Sequence, residues 1–520
     1  MVILAVLVMF ALYAAVSSLS DASVRVKRDQ RTRDVLLRAK EALIGYAASD
    51  VVRPGELPCP DVNDDGKLVL GEDIVGSACA SLVGRLPWAT LGLPDLRDDA
   101  GERLWYALSN DFHANGGAPL NNETAYLPGN TSLTIAGASP AANVVAVVFS
   151  PGVALTRVDA LIQSRSCTAG NCDATGKCIS APPIATPRCN PVNYLDSASG
   201  VDNADLDVSF VAAAQSTTFN DRLLPIFSDD IMSIVQRRAG RELAQKLREH
   251  FTLWQNAMQV SAASRKGFYP YAAPLTASVD PSVQQPGANG TTAGLLPVGD
   301  PGVVWQSASI GGGFCLGVGT AQINCTALVL LGIGGNVTGS VAKIGGGFVQ
   351  PPDGTEMTTG GLVLLGAPSA SPWTLNSGTD TLDFSAGISF LGTGVVTVTV
   401  RAPNVVSSWV NDSTYWVSAN QWYQDTYYAV SGGYTLSGAS ACGATPPCVT
   451  LGNTAAPTDD KRALVVMTGR NLAGQRARPP TNTSGFTASD YVEEPDPASL
   501  VFARDIRSPN YNDDPIVVLP

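Results

Sequence analysis

The chain opens with "MVILAVLVMFALYAAVSSLSDASVRVKRDQRTRDVLLRAKEALIGYAAS" (Met1–Ser49). No charge occurs from Met1 to Val16, and the first acidic residue is Asp21. No Gly or Pro interrupts the run before Gly45, and Pro54-Gly55 supplies a stop signal. Leu36, Ala39, Leu43 and Ala47 recur at helical spacing and mark one apolar face. The stretch predicts one helix of about 50 residues, apolar first and amphipathic later. Its uncharged part spans about 24 Å as a helix, against a hydrocarbon core of about 30 Å. Ser17, Ser18 and Leu19 extend it, so the expectation is a membrane-spanning anchor. The basic residues Arg25, Lys27, Arg28, Arg31 and Arg33 follow, a flank that the positive-inside rule assigns to the cytoplasm.

The cysteines argue for the opposite side. Ten of them fall in local groups: Cys59 and Cys79; Cys167, Cys172, Cys178 and Cys189; Cys315 and Cys325; Cys442 and Cys448. None forms C-x-x-C, and no His lies near them in sequence to complete a zinc site. An even count in local groups reads as disulfides in an oxidising compartment. The expected pairs are Cys59–Cys79, Cys315–Cys325 and Cys442–Cys448. With 520 residues the chain is long enough for two to four domains. With a net charge of −12 no basic patch rivals the acidic background, which disfavours nucleic acid as a partner. The two histidines, His113 and His250, lie far apart in sequence and disfavour zinc or His-based catalysis.

Five blocks recur in one order. "AKEALIGYAAS" (39–49) pairs with "LAQKLREHFTLWQ" (243–255), and "WYALS" (105–109) with "YYAVS" (427–431). "LTIAG" and "AVVFS" (133–137, 146–150) pair with "VTLGN" and "LVVMT" (449–453, 464–468). "NYLD" (193–196) pairs with "DYVE" (490–493), and "FNDRLLPI" (219–226) with "YNDDPIVV" (511–518). The expected organisation is a spine helix over 1–53, a first head over 54–228, and a second helix over 229–273. A Gly-rich β insert follows over 274–405 and a second head over 406–520. The predicted fold class is α+β: a long N-terminal membrane-spanning helix followed by two related helix-plus-antiparallel-sheet heads.

"CPDVNDDGKLVLGED" (Cys59–Asp73) matches the calcium-loop consensus D-x-[DN]-x-[DN]-G-x5-E. Asp61, Asn63 and Asp65 take the first three liganding positions, and Gly66 the turn. Lys67 offers its carbonyl, and Glu72 falls at the twelfth position. The competing reading is an acidic turn closed by Cys59–Cys79. The calcium reading expects a loose loop without the ion, and Asp61→Ala or Glu72→Ala to lower stability only when calcium is present. No catalytic constellation stands out: "GASAC" at Gly438 fails the nucleophile-elbow pattern, and "GNCDATGKC" lacks phosphate-loop spacing. The chain is therefore read as having no catalytic or organic-cofactor residues.

The long helix, the cysteine-bounded loop after "RPGELPCPD", and "GRLPWATLGLPDLRDDAGERLWYALS" (Gly84–Ser109) resemble the pilin-like proteins of type IV pilus and type II secretion systems. The likeness is to large minor pilins and K-type minor pseudopilins. It implies pilin-like heads, a structural calcium ion, an inner-membrane single-pass location with heads outside the cytoplasm, and other pilin or pseudopilin subunits as partners. Secreted substrate proteins are a further implied partner class. No Glu precedes Glu41, whereas major subunits carry one early in the helix. With the large heads, that implies a place at a filament tip rather than in its shaft. The alternative is a membrane-anchored calcium-binding adhesin or surface hydrolase.

Overall fold

A computed structural model of the chain describes all residues except 1, 72, 114–118, 127–132, 139, 166–189, 206, 258–268, 270, 276–290, 298–304, 318–321, 330–334, 344–353, 361–362, 365–373, 377–380, 389, 392, 402–411, 436–441, 443–446, 453–460, 473–474, 476–486, 494–499, 504–507, 509–510, 512 and 520. The four cysteines between 167 and 189, and Glu72, lie outside the described residues. The chain divides into two compact units. The first comprises Met1–Leu120 with Thr124–Val235, and the second Asn121–Glu123 with Gln236–Pro520.

In the first unit, α1 (Val2–Ser49) is one unbroken helix of 48 residues. Leu36, Ala39, Leu43 and Ala47 are buried. The helix ends where Asp50 accepts the backbone N–H groups of Val52 and Arg53. Gly55, at φ +106°, then turns its N–H back to the Ala47 carbonyl. The strands are β1 (Val83–Arg85), β2 (Trp105–Leu108), β3 (Leu133–Gly137), β4 (Ala141–Ser150), β5 (Ser209–Ala212) and β6 (Arg222–Phe227). They run in the order β1-β2-β4-β3-β5, with β6 on β4. Trp105 faces Phe149 across β2–β4, and Arg222 faces Ser150 across β6–β4, both antiparallel. The β3–β5 pair is parallel, with Thr134 opposite Ser209.

Helix α1 packs on β4 and β6. Val144 to Phe149 are buried on both faces of β4, which explains why that strand reads as a continuous apolar run. Trp105, Phe149, Tyr194 and Phe210 fill the core of this unit, with Phe149 and Phe210 edge to face at 5.1 Å.

Helix α2 (Ser228–Ala257) contains the boundary between the units, after Val235. In the second unit, β7 (Ala293–Leu295), β8 (Thr426–Val430), β10 (Ala463–Met467) and β12 (Asp514–Leu519) form an antiparallel sheet in that order. Strands β9 (Thr450–Gly452) and β11 (Val501–Ala503) pair in parallel. A short helix α3 (Trp416–Ala419) precedes β8. α2 packs on this sheet: a Cβ at Gly240 would lie 2.2 Å from Ile516 and 2.6 Å from Met467. The aromatic run before and within β8 is core, with Trp416, Trp422, Tyr423, Tyr427 and Tyr428 buried.

Between β7 and β8 the Gly- and Thr-rich segment folds as strands. Trp305–Ile310, Gly335–Lys343, Thr381–Ile388 and Thr374–Asn376 form one four-stranded sheet in that order. Gly313–Leu316, Gln322–Val329, Gly394–Arg401 and Gly354–Gly360 form another. The blocks at 39–49 and 243–255 fall on helices, and three other block pairs fall on strands of matching order. β2 and β8, β4 and β10, and β6 and β12 carry them, and the parallel pairs β3–β5 and β9–β11 match as well.

The expected α+β fold with a membrane-spanning helix is corrected. The structure is mostly sheet, with three α-helices among the described residues. No helix, among the described residues, is long and apolar enough to cross a membrane. The expected inner-membrane single-pass location falls with it. The physical reason is span: the uncharged run is short of a bilayer, and Asp21 and Arg25 follow within the same helix.

The buried helix face generates a prediction. Leu43→Ala, at a fully buried position, lowers the stability of the first unit by about 2–5 kcal/mol. Leu37→Ala, at a position 39% exposed, changes it by about 0.5 kcal/mol. Chemical denaturation followed by circular dichroism checks the contrast.

Candidate functional site

The acidic loop is built on Asp61, which is 1% exposed. Its Oδ1 accepts the N–H groups of Asn63 and Asp64 at 3.0 and 2.8 Å, and its Oδ2 accepts that of Gly66 at 2.5 Å. Asn63 and Asp65 each accept the backbone N–H two residues on. Asp73, fully buried, accepts from Val62 and Val69 and closes the far side of the loop. Asp64 and Gly66 both have positive φ, at 66° and 80°. Gly66 is required twice over, because a Cβ there would stand 2.3 Å from the Trp88 ring.

The "GRLPW…ERLW" segment clasps this loop. The Gly66 carbonyl accepts the N–H groups of Ala89 and Thr90, and Thr90 Oγ1 accepts that of Leu68. Asp61 and Arg85 exchange backbone hydrogen bonds at 2.9 and 2.7 Å. Asp64 turns away from the loop centre toward Arg103, at 3.1 Å, and Arg85, at 3.6 Å. Arg85 lies between the Trp105 and Tyr194 rings, 4.4 and 4.0 Å from their centroids. Arg103 also grips Asp95. Burial opposes ionisation of Asp95, but hydrogen bonds from Arg103 and Arg97 hold its carboxyl below the usual range. Burial acts on Asp61 in the other direction. It pushes that carboxyl up to about 7, offset in part by the Gly66 N–H and reinforced by the charges of Asp64, Asp73 and Asp65.

The structure thus brings Asp61, Asn63 and Asp65 onto one curled loop, with Lys67 exposed beside them. No acidic cluster tight enough to hold a metal forms among the described residues. The donors are nevertheless all oxygen, and the buried Asp61 charge sits among like charges. That chemistry fits a hard cation such as calcium. Asp61 holds three backbone N–H groups by itself, so Asp61→Ala is expected to act without calcium as well as with it.

Disulfides join Cys59–Cys79, Cys315–Cys325 and Cys442–Cys448. Sequence reasoning missed His113, which follows a 3₁₀ turn at Asn110–Phe112 and is buried. Its Nε2 lies 3.1 Å from Cys59 Sγ, and its Nδ1 lies 3.1 Å from the Leu57 carbonyl. The only sequence signal was a lone His 54 positions from its partner.

A second polar site recurs in both units. In the first, the N–H of Asp196 donates to Asp221 Oδ2 at 2.7 Å, and the N–H of Asp221 donates back to Asp196 Oδ2 at 3.2 Å. Gln163 donates to Asp196 Oδ1 and accepts the Leu155 N–H. In the second, the N–H of Glu493 donates to Asp513 at 2.9 Å, and that of Asp513 to Glu493 at 3.1 Å. Gln475 donates to Glu493 and accepts the Leu472 N–H. These carboxylates tie "NYLD" to "FND" and "DYVE" to "YND", with no open acid–base geometry. Comparison with protein-family models, curated proteins and solved structures finds no match for the chain.

Burial, reinforced by the Asp196 charge, raises the Asp221 carboxyl well above its ordinary range. Its Oδ1 has no hydrogen-bond partner among the described residues. A raised folded-state value favours folding at low pH and loses that contribution as pH climbs through it. Asp221→Asn mimics the protonated form. Relative to wild type, its melting temperature therefore rises as pH climbs above about 4. Thermal melts across pH check this, and a pH-independent difference would refute it.

Proposed function

We propose that the chain is a structural subunit of a pilus-type or secretion-type filament, placed at the tip. The observation that carries the reading is α1: one continuous 48-residue helix whose second half is fixed to the head. Asp29 pairs with Arg222, Thr32 donates to Asp99, and Lys40 pairs with Asp230. Leu36, Ala39, Leu43 and Ala47 are buried. The first half carries sixteen uncharged residues on the same rigid element. An apolar helical segment continuous with a folded head supports packing against equivalent helices, where each buried Leu, Val or Phe contributes about 1.5–3 kcal/mol. Among the described residues, the buried carboxylates Asp61, Asp196 and Asp221 are engaged with backbone N–H groups.

The test uses the full chain with Val8→Asp and Phe10→Arg introduced together. The variant is lost from filament preparations of its host, while the melting temperature of the heads is unchanged. Equal incorporation of variant and wild type would overturn the proposal.

A calcium ion held by Asp61, Asn63, Asp65, the Lys67 carbonyl and Glu72 belongs to the same reading. When bound it supplies positive charge to a carboxylate-rich loop, and its role is to stiffen the clasp by Trp88 and Thr90. Calcium at several millimolar, the affinity range of extracellular sites being about 10⁻⁴–10⁻³ M, raises the wild-type melting temperature. It leaves Asp65→Ala unchanged. Asp61→Ala is destabilised with and without the ion. Absence of a calorimetric signal at millimolar calcium would reduce the loop to an acidic turn.

A further inference from the structure

Cys59, Cys79 and His113 place two sulfurs and an imidazole nitrogen within 4.8 Å of one another, the one such group of His, Cys, Asp or Glu among the described residues. The arrangement is built rather than incidental. The Leu57 N–H donates to the Phe112 carbonyl, and the His113 N–H to the Asn110 carbonyl, so two chain segments lock the ring in place. The Leu57 carbonyl can only accept, so Nδ1 carries the proton toward it at 3.1 Å. In the neutral imidazole that leaves a lone pair on Nε2, directed at Cys59 Sγ. A disulfide sulfur has no proton to offer it. Glu56 Oε1 also stands 3.3 Å from Nδ1, and Arg53 lies 3.5 Å from the other Glu56 oxygen. A carboxylate and a backbone carbonyl behind one ring nitrogen, with the other aimed at sulfur, is the outer-sphere arrangement of a metal-binding histidine.

We propose that reduction of the Cys59–Cys79 disulfide converts this staple into a zinc site, with Cys59 Sγ, Cys79 Sγ and His113 Nε2 as ligands and water in the fourth position. The chemistry balances. A dithiol reductant gives two electrons and two protons to the S–S bond, leaving two thiols and a cyclic disulfide. Zinc then displaces both thiol protons and takes the Nε2 lone pair. Tetrahedral zinc at about 2.3 Å from each sulfur needs the sulfurs roughly 3.8 Å apart. Cys79 supplies that movement, because it sits half-buried on a two-residue hairpin, Ile74–Val75 with Ala78–Cys79, whose Val75 and Ala78 are exposed. Cys59 is fully buried and stays with the ring. The consequence is a loop closed in both redox states, covalently when oxidised and through metal when reduced. Thiolate and imidazole donors select zinc over calcium, so this site is chemically distinct from the oxygen donors of the acidic loop.

The experiment compares the full-length protein, oxidised and reduced with a dithiol under anoxic conditions, in zinc titrations and with cobalt(II) as a spectroscopic probe. Wild type, His113→Gln and Cys79→Ser share the other eight cysteines, so differences report this site. Reduced wild type binds one more equivalent of zinc than either variant, and its cobalt complex shows added thiolate-to-metal absorption. The oxidised protein gains nothing from the His113 side chain. Equal stoichiometry and affinity in reduced wild type and reduced His113→Gln would overturn the proposal. Circular dichroism of the oxidised His113→Gln protein checks its fold, and Cys79→Ser gives an independent reading if that variant is impaired. Identical zinc binding by reduced wild type and Cys79→Ser would overturn it as well.

Discussion

Asp196 and Asp221 each hold the other's backbone N–H, and that exchange fixes where the last strand of the first unit begins. Asn203 adds its amide to Asp221 and receives the Val211 N–H, which ties β5 to the same point. From there β6 pairs with β4, and α1 packs on both. A buried carboxylate left without partners costs several kcal/mol, so such groups survive only where donors are already in position. Here the donors are main-chain groups, which come with the fold. The clasp therefore forms only when the two distant segments meet, and it rejects other registers for β6. Glu493 and Asp513 repeat the device ahead of β12.

The acidic loop handles charge in two ways within four residues. Asp64 is neutralised by Arg103 and Arg85, which the Trp105 and Tyr194 rings hold in place. Removing one partner of a buried pair of this kind costs about 3–5 kcal/mol. Asp61, three residues earlier, is satisfied by backbone N–H groups and feels Asp64, Asp73 and Asp65 as like charges. The side chain of Asp61 thus holds the first turn of the loop by itself. Asp64, which the calcium consensus leaves as a spacer, ties the loop to Arg103 and Arg85.

Local pattern made much of this legible. The spacing of Leu36, Ala39, Leu43 and Ala47 marked the face of α1 that is buried. The apolar run of β4 and the alternating Thr and Val of Gly394–Arg401 marked strands. Hydropathy over Met1–Val16 misled, because apolar side chains in a helix do not distinguish a bilayer from a protein partner when the run is too short to span. Contacts between distant residues left no trace in sequence. His113 meets Cys59 across 54 positions, and Arg85 stacks on Tyr194 across more than a hundred. Such pairings depend on which strands become neighbours, and sheet order is a property of the whole unit.

The equivalence of strand order also explains where the Gly-rich segment could enter. In the first unit 19 residues join β1 to β2, and they carry Trp88, Asp95 and Arg103, the groups that clasp the acidic loop. In the second unit 130 residues join β7 to β8 at the corresponding point. The two strands still pair, Ala293 opposite Ala429, so the insertion leaves the sheet intact. Loop-closure entropy grows only with the logarithm of length, and this lengthening costs about 2 kcal/mol for an unstructured chain. Two four-stranded sheets inside the segment reduce that cost by folding on their own pairings, with Cys315–Cys325 stapling one hairpin at facing positions. A hairpin connection on one sheet can thus carry a β insert of its own, while the same connection on the other is committed to holding a charged loop.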